Sequence, residues 1–171
     1  MKKVLLLLFS IGVISSCQDK DDFSPYEGIE YRDDVNRRQT QKDPSDWTLD
    51  NTWSNEEKKL FADLEIDLNG LPQGGIQEIS FYPNPVNPAY GVANFDYRKT
   101  AASNFSGRCV IVDGNYKVLF NTEIPPKSFG LQLPIFGGDK FEKGKIYRMY
   151  YVFYEGSILY YKGHGDIKIA D

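Results

Sequence analysis

The stretch GRCVIVDGNYKVLFNT, residues 107–122, contains the clearest strand pair of the sequence and decides the class of the fold. Two runs rich in β-branched and aromatic residues flank the tripeptide Asp113-Gly114-Asn115. These three residue types tolerate positive φ and permit a tight hairpin. We therefore predict antiparallel strands near residues 107–113 and 116–122.

The same pattern continues outward from this hairpin, beginning at residue 76. Apolar and polar residues alternate in two runs, which predicts strands with one buried face. The apolar members are Ala93, Phe95 and Tyr97 in one run, and Phe129, Leu131 and Leu133 in the other. Residues 147–154 are apolar or aromatic at nearly every position, which favours a central strand covered on both sides. Further strands are predicted near 76–82, 91–98, 129–134, 145–154 and 157–163, with a terminal one near 165–169.

The spacing of these segments predicts the fold. Seven or eight short antiparallel strands separated by turn residues indicate a mainly β chain with an antiparallel β-sandwich at residues 76–171. The sandwich is expected to be immunoglobulin-like in architecture, although the Cys, Trp and Cys hallmark of immunoglobulin domains is missing.

Residues 52–75 are predicted to form a short helix and a connector. Ser54 and Glu57 have the spacing of a capping box, and we expect a helix from there through about Leu64. Residues 17–51 are polar and show no apolar period, which indicates a flexible tether. Trp47 and Trp53 end that stretch, and we expect them to pack onto the domain because large aromatic side chains usually bury against something.

The first sixteen residues have the order of a secretory signal peptide. Lys2 and Lys3 give a basic start, and an apolar run of eleven residues follows from Val4 to Ile14. A helix that spans a bilayer needs about 18 to 20 apolar residues, so this run is too short to persist as a membrane span. We expect it to be cleaved.

The segment Ile14-Ser15-Ser16-Cys17 resembles the lipobox of bacterial lipoproteins. The resemblance implies that Cys17 is the lipidated first residue of the mature protein, with acyl chains such as palmitate. Two or three such chains hold a protein stably at a membrane without any spanning helix. The alternative is a plain secreted protein with a coincidental cysteine.

The residues after the lipobox resemble the acidic export signal of surface lipoproteins of the Bacteroidetes. They are Gln18, Asp19, Lys20, Asp21 and Asp22. The resemblance implies a lipid anchor in the outer membrane and display on the cell surface. The alternatives are a solvated, acidic start to a linker and a lipoprotein that faces the periplasm.

A second resemblance begins at the segment Phe81-Tyr82-Pro83-Asn84-Pro85-Val86-Asn87-Pro88. Residues 76–169 resemble the C-terminal sorting domains of type IX secretion and the related immunoglobulin-like domain of flagellar hook-capping proteins, with further matching blocks at 109–115 and 144–147. The resemblance implies the sandwich fold. The prolines are expected to end the first strand and fix a bend, so that the next strand starts at Gly91 on the other sheet.

The charge of the chain argues against nucleic acid as a partner, and its two cysteines limit the disulfides it can form. The net charge is −4, and removal of the signal peptide, which holds two lysines and no acid, makes it about −6. No cluster of basic residues suggests nucleic acid. If Cys17 is acylated, Cys109 is the only other thiol and no intramolecular disulfide can form.

Three features that resemble chemical sites have simpler interpretations. His164 lies between two glycines and is interpreted as a turn residue, because a lone histidine makes neither a metal site nor a catalytic triad. Residues 63–70 alternate acceptors as in a calcium loop, but Ile76 stands where the twelfth-position Glu should be. Cys109 lies among apolar residues and is expected to behave as a small hydrophobe. No metal and no cofactor is predicted.

Tyrosines are crowded in the last predicted strands, at positions 147, 150, 151, 154, 160 and 161. Alternate members must face opposite sides, and exposed aromatics on sheets commonly bind glycans or protein partners. Tyr150, Tyr154 and Tyr161 are therefore candidate ligand-binding residues. In the alternative interpretation both sides are covered, one by the opposite sheet and the other by the helix near 55–64 or the tether.

These features predict a non-enzymatic, membrane-anchored surface lipoprotein that binds an envelope protein or a glycan. The alternative is a structural or assembly lipoprotein that faces the periplasm and carries a domain similar to secretion-sorting domains. The sequence shows no catalytic constellation, so an enzyme is not expected.

Overall fold

The computed structural model describes residues 29–100 and 104–171. The signal peptide, Cys17, the export signal from Gln18 to Asp22 and the start of the predicted tether lie outside the described residues. Within the described ranges the elements are helix α1 (Asn55–Lys59), a 3-10 turn (Ala62–Leu64), and strands β1 (Ile76–Tyr82), β2 (Ala93–Lys99), β3 (Ser106–Val112), β4 (Val118–Ile124), β5 (Gly130–Leu133), β6 (Ile146–Glu155) and β7 (Ile158–Lys168).

The strands form two antiparallel sheets, one in the order β1-β2-β5 and one in the order β4-β3-β6-β7. Apolar side chains of both sheets meet in one core, which includes Phe81, Phe95, Ile111, Tyr151 and Phe153. Burial of such side chains is the main favourable contribution to folding. The predicted mainly β, immunoglobulin-like sandwich is therefore confirmed.

A second apolar layer covers the outer face of the four-stranded sheet. Trp53, Phe61 and Leu68 pack there against a face that includes Val110 and Val152. This layer explains why nearly every position of β6 is apolar or aromatic.

The helical segment, which comprises α1 and the 3-10 turn, begins with the predicted capping box. Ser54 Oγ accepts from the Glu57 amide at 3.3 Å, and the Glu57 carboxylate accepts from the Ser54 amide at 2.6 Å. The α-helix ends at Lys59, earlier than expected.

Strand β7 is continuous where two strands and a turn were predicted. His164 lies in the middle of β7 and is paired with Tyr150 of β6, so its interpretation as a turn residue is wrong. The flanking Gly163 and Gly165 resemble turn signals in sequence. In the fold these glycines have another use: because they carry no side chain, another segment of the chain can lie close against the strand.

That segment is the second half of the predicted tether, which corrects the tether prediction for residues 29–51. The Trp47 amide donates to the His164 carbonyl at 2.8 Å, so the segment lies along the outer edge of β7. A side chain at Gly165 would overlap the Trp47 ring, and one at Gly163 would overlap the Thr48 carbonyl oxygen. The segment is ordered because it covers an otherwise unpaired edge, whose exposed amides and carbonyls are a liability.

The proline-rich bend after β1 crosses between the sheets and returns. Val86 forms a parallel bridge with Ile169 beside the second sheet, and the chain then re-enters the first sheet as β2, paired with β1. The expectation that β2 starts on the other sheet is therefore wrong. Asn84 fixes the bend, because its buried amide donates to the carbonyls of Glu30 and Asp166 at 3.2 and 2.9 Å.

The central hairpin also differs from its prediction in detail. The positive φ falls on Tyr116, at 59°, and not on the residues of Asp113-Gly114-Asn115. The Asp113 carboxylate holds the turn by accepting from the amides of Asn115 and Lys117 at 2.9 and 3.0 Å. Asp side chains commonly stabilise turns in this way.

In residues 29–100 and 104–171, no helix has the length and apolar character needed to cross a membrane.

Candidate functional site

A polar groove of about 430 Å³ crosses the outer face of the three-stranded sheet. Its floor follows from strand alternation, because Ile79, Phe81, Phe95 and Tyr97 are buried and their neighbours must face the other side. The outward residues are Glu78, Ser80 and Tyr82 on β1, and Asn94, Asp96 and Arg98 on β2.

The register of the three strands places small residues beside a central carboxylate. Ser80 of β1 pairs with Asp96 of β2, and Asp96 pairs with Gly130 of β5. A Cβ atom at Gly130 would lie 2.5 Å from Asp96 Oδ1, so the glycine leaves space for the carboxylate. Ser80 and Asp96 line the floor of the groove, and Gly130 lies beside Asp96 on the neighbouring strand.

The walls of the groove come from two loops. On one side the turn at residues 32–38 is attached to β1, because the side-chain amide of Asn36 donates to Ser80 Oγ at 3.1 Å. On the other side Phe129 is 70% exposed, while its carbonyl accepts from the Tyr97 amide at 3.1 Å. The backbone of Phe129 is thus held in the sheet while its ring stands free at the rim. Its predicted burial with Leu131 and Leu133 is wrong, because β5 begins only at Gly130.

The charged groups of the groove are internally matched. Arg98 and Glu78 form an ion pair at 3.1 Å, and the Tyr82 hydroxyl donates to Asp96 Oδ2 at 2.7 Å. The hydrogen bond to Asp96 is the main cause that raises the pKa of Tyr82 to about 12. Tyr82 therefore stays protonated at neutral pH and acts as a donor. The groove offers polar donors and acceptors beside one aromatic ring, and no strong excess of either charge.

The tyrosines proposed from the sequence lie elsewhere. Tyr150 is fully buried and Trp53 meets its ring edge-on at 5.6 Å, so its proposed role as an exposed ligand-binding residue is wrong. Tyr154 and Tyr161 are partly exposed. Tyr154 donates to Glu123 at 3.1 Å on the outer side of the four-stranded sheet, which the helical segment covers.

The other sequence candidates have structural partners. His164 Nδ1 lies 2.8 Å from Asp50 Oδ2. Cys109 is fully buried, and this burial raises the pKa of its thiol to about 12. In the loop at 63–70, Asp63 pairs with Arg108 at 2.6 Å, and Asp67 accepts from the Asn69 amide. Within the part of the chain that the structure describes, no group of three or more His, Cys, Asp or Glu residues is placed to hold a metal ion.

Sequence reasoning missed the groove, although a signal for its floor was present. The outward residues of β1 and β2 are polar at alternate positions, which marks a wet face. The exposure of Phe129 had no such signal, since it depends on where β5 begins.

No protein-family model and no curated protein matches this chain. Among solved structures it is similar to the crystal structure of rat CD45 extracellular region, domains d3-d4, with 8% sequence identity and a TM-score of 0.40; the alignment covers 97% of this chain and 82% of that one.

Proposed function

We propose that this chain is a lipid-anchored, non-catalytic binding module of the bacterial outer membrane, and that its groove binds a glycan. The observation that carries the proposal is the polar groove on the outer face of β1-β2-β5, with the exposed ring of Phe129 at its rim. The anchor is Cys17, and surface display through Gln18–Asp22 belongs to the same proposal.

The lining of the groove favours a sugar over a peptide strand. A peptide that binds by strand addition needs free backbone groups at a sheet edge. The floor here is a side-chain face, which includes Ser80, Asp96 and Arg98. Sugars combine many hydroxyl groups with apolar ring faces, so they suit a polar trough next to an aromatic ring.

A binding role also suits the acids of the groove better than hydrolysis does. Glycoside hydrolases typically use two carboxyl groups that flank the scissile bond. Of the two acids in the groove lining, Asp96 accepts from Tyr82 and Glu78 is paired with Arg98. This arrangement favours recognition of hydroxyl groups.

The glycan proposal is tested by array screening followed by calorimetry on the ligands found. Phe129→Ala should weaken binding by at least about tenfold, a typical effect for an aromatic anchor of a binding site. Tyr90→Ala is the matched control, because Tyr90 is 81% exposed and lies outside the groove lining. Equal losses in both variants, or no glycan bound at all, would overturn the proposal.

The anchor and its side of the membrane have separate tests. Metabolic labelling with a palmitate analogue should mark the wild-type chain and not Cys17→Ala. Protease treatment of intact cells should then digest the domain. Survival of the domain in intact cells, with digestion after permeabilisation, would support the periplasm-facing assembly lipoprotein instead.

A further inference from the structure

A buried lysine lies in the middle of β7, under the layer that covers the outer face of the four-stranded sheet. Lys162 is only 1% exposed, and its Nζ lies over the Trp53 ring, 4.9 Å from the ring centroid. A lysine buried to this degree is usually paired with a carboxylate. Within residues 29–100 and 104–171, however, Lys162 forms no ion pair. Its Nζ donates instead to a side-chain amide, at 3.0 Å from Asn69 Oδ1.

The surroundings of this amine favour its uncharged form. Burial lowers the pKa of Lys162, while the negative charge of Asp50 acts in the opposite direction. Removal from water disfavours a charged group, so the neutral amine is easier to reach here than at the surface. A neutral amine carries the free electron pair of a nucleophile, and desolvation is one way in which proteins activate lysine.

The amide of Asn69 is held at both ends by the backbone of Trp53. Oδ1 accepts from the Trp53 amide at 2.8 Å, and Nδ2 donates to the Trp53 carbonyl at 3.0 Å. A backbone donor on a carbonyl oxygen stabilises the negative charge that develops there when a nucleophile adds to the carbon. Because a C=O bond is about 1.23 Å long, Lys162 Nζ lies at most about 4.2 Å from Asn69 Cγ, close to the contact of a reacting pair.

An acid lies beside the two side chains. The Asp50 amide donates to the Lys162 carbonyl at 3.0 Å, so the two residues are neighbours across the edge of β7. The Asp50 carboxylate also accepts from Trp53 Nε1 at 2.6 Å, at the edge of the ring whose face the amine covers. A carboxylate next to an amine is a group that transfers protons. Asn69 itself is at the surface, so a small leaving group has a path to solvent.

We propose that Lys162 and Asn69 join in an isopeptide bond, an amide between the two side chains. Nζ adds to Cγ, and the new Nζ–Cγ bond replaces the Cγ–Nδ2 bond. The proton that Nζ loses passes through the Asp50 carboxylate to Nδ2, which leaves as ammonia. The reaction needs no oxidant and no second substrate, and it does not depend on the groove or its ligand.

The bond would fasten the connector after the helical segment to β7. It closes a loop between residues 69 and 162, and a cross-link that closes a long loop restricts the unfolded chain. A disulfide has the same effect, but the only cysteine of the described residues, Cys109, is free. The isopeptide bond would therefore give the domain a covalent cross-link that its cysteines do not supply.

Mass spectrometry of the full chain, digested with trypsin after denaturation, tests the proposal. Trypsin does not cleave after a lysine whose amine is bonded. The linked product is therefore residues 60–98 joined to residues 149–168, and it is lighter than the two separate peptides by one ammonia. Wild-type protein that yields only the separate peptides 60–98 and 149–162 would overturn the proposal.

The joined peptides decide the result, and a loss of mass alone does not. Asn69 precedes Gly70, and ring closure of such a pair to a succinimide also releases ammonia. A succinimide leaves residues 60–98 as a separate peptide. Release of ammonia without joined peptides therefore counts against the isopeptide bond.

Three variants assign the bond to its residues. Lys162→Arg keeps a positive charge and a donor, but guanidinium does not lose its proton and should give no linked product. Asn69→Ala removes the carbon that is attacked and should also give none. Lys168→Arg is the matched control on the same strand, where Lys168 Nζ donates to the Gly144 carbonyl at 2.6 Å, and it should keep the linked product. Residues 60–98 joined to another peptide in Lys162→Arg would overturn the assignment.

The role of Asp50 has its own test. Asp50→Asn keeps an acceptor for Trp53 Nε1 and removes the proton-transferring group, so the linked fraction should fall by at least about tenfold. Asp50→Glu keeps a carboxylate and should restore much of that fraction, whereas a loss due only to altered packing would persist. Circular dichroism shows that each variant is folded. An unchanged linked fraction in Asp50→Asn would overturn the proton transfer assigned to Asp50.

Discussion

The indole ring of Trp47 lies directly on the backbone of Gly165, in the space that any side chain at that position would occupy. The same ring is parallel to Phe81 of β1 and to Tyr151 of β6, at centroid distances of 5.3 and 6.3 Å. Trp47 therefore fills the gap between the two sheets at the β7 edge. Its place depends on the absence of a side chain in the middle of a strand.

Gly165→Ala should destabilise the domain by about 2 to 4 kcal/mol, because the new methyl group overlaps the Trp47 ring and forces it off the strand. Urea unfolding followed by tryptophan fluorescence measures the change. Gly137→Ala is the matched control, since a Cβ at this exposed glycine would meet its nearest atom only at 3.7 Å. An equal effect of the two substitutions would contradict the packing of Trp47 on Gly165.

His164 should make the stability of the domain fall as the pH rises. Burial opposes the charged ring, but the hydrogen bond to Asp50 and the charge of its carboxylate outweigh it, so the pKa of His164 is raised above 6.5. A histidine whose folded pKa is raised contributes stability that is complete below 6.5 and is lost as the pH rises through the folded value. The free-energy difference between wild type and His164→Gln should therefore be larger at pH 5.5 than at pH 9.

Urea unfolding at several pH values measures that difference. His164→Gln removes the titration and retains a side chain that can donate to Asp50. A difference between the two proteins that does not vary with pH would show that the contact with Asp50 does not depend on the charge of His164.

The features that sequence reasoning predicted correctly depend on neighbours in the chain. The capping box joins Ser54 to Glu57, and the central hairpin is held by Asp113 and the residues just after it. Residue type and spacing are enough to predict such features, because both partners lie in one short window.

The features that sequence reasoning missed depend on partners that are distant in the sequence. Gly163 and Gly165 signal a turn when only their neighbours are considered, whereas their true partners are Thr48 and Trp47, more than a hundred residues earlier. The tether prediction failed for the same reason, since polar composition does not reveal that a segment covers a strand edge. Tertiary contacts override local propensity in such cases.

The asparagine of the Tyr-Pro-Asn-Pro segment should be required for the fold. Asn84 is fully buried, and its side chain donates to Glu30 and Asp166 and accepts from the Lys168 amide at 2.9 Å. Asn84→Ala leaves those three groups without a partner, so the domain should lose about 2 to 4 kcal/mol of stability.

Chemical denaturation measures that loss, with Asn121→Ala as the control. Asn121 is exposed on the edge strand β4, and its replacement should change the free energy of unfolding by less than about 0.5 kcal/mol. A small effect of Asn84→Ala would mean that the bend is held by its prolines and not by the buried amide.

The groove should lose the position of its central acceptor, Asp96, when the neighbouring Gly130 gains a methyl group. A Cβ at Gly130 would lie 2.5 Å from Asp96 Oδ1, so Gly130→Ala must displace the carboxylate and with it the acceptor of the Tyr82 hydroxyl. We expect glycan affinity to fall by at least about tenfold while the domain stays folded, since β5 is short and lies at the edge of its sheet. Calorimetry measures the affinity, and circular dichroism shows that the fold is kept. Unchanged affinity in a folded Gly130→Ala protein would remove Asp96 from the binding site.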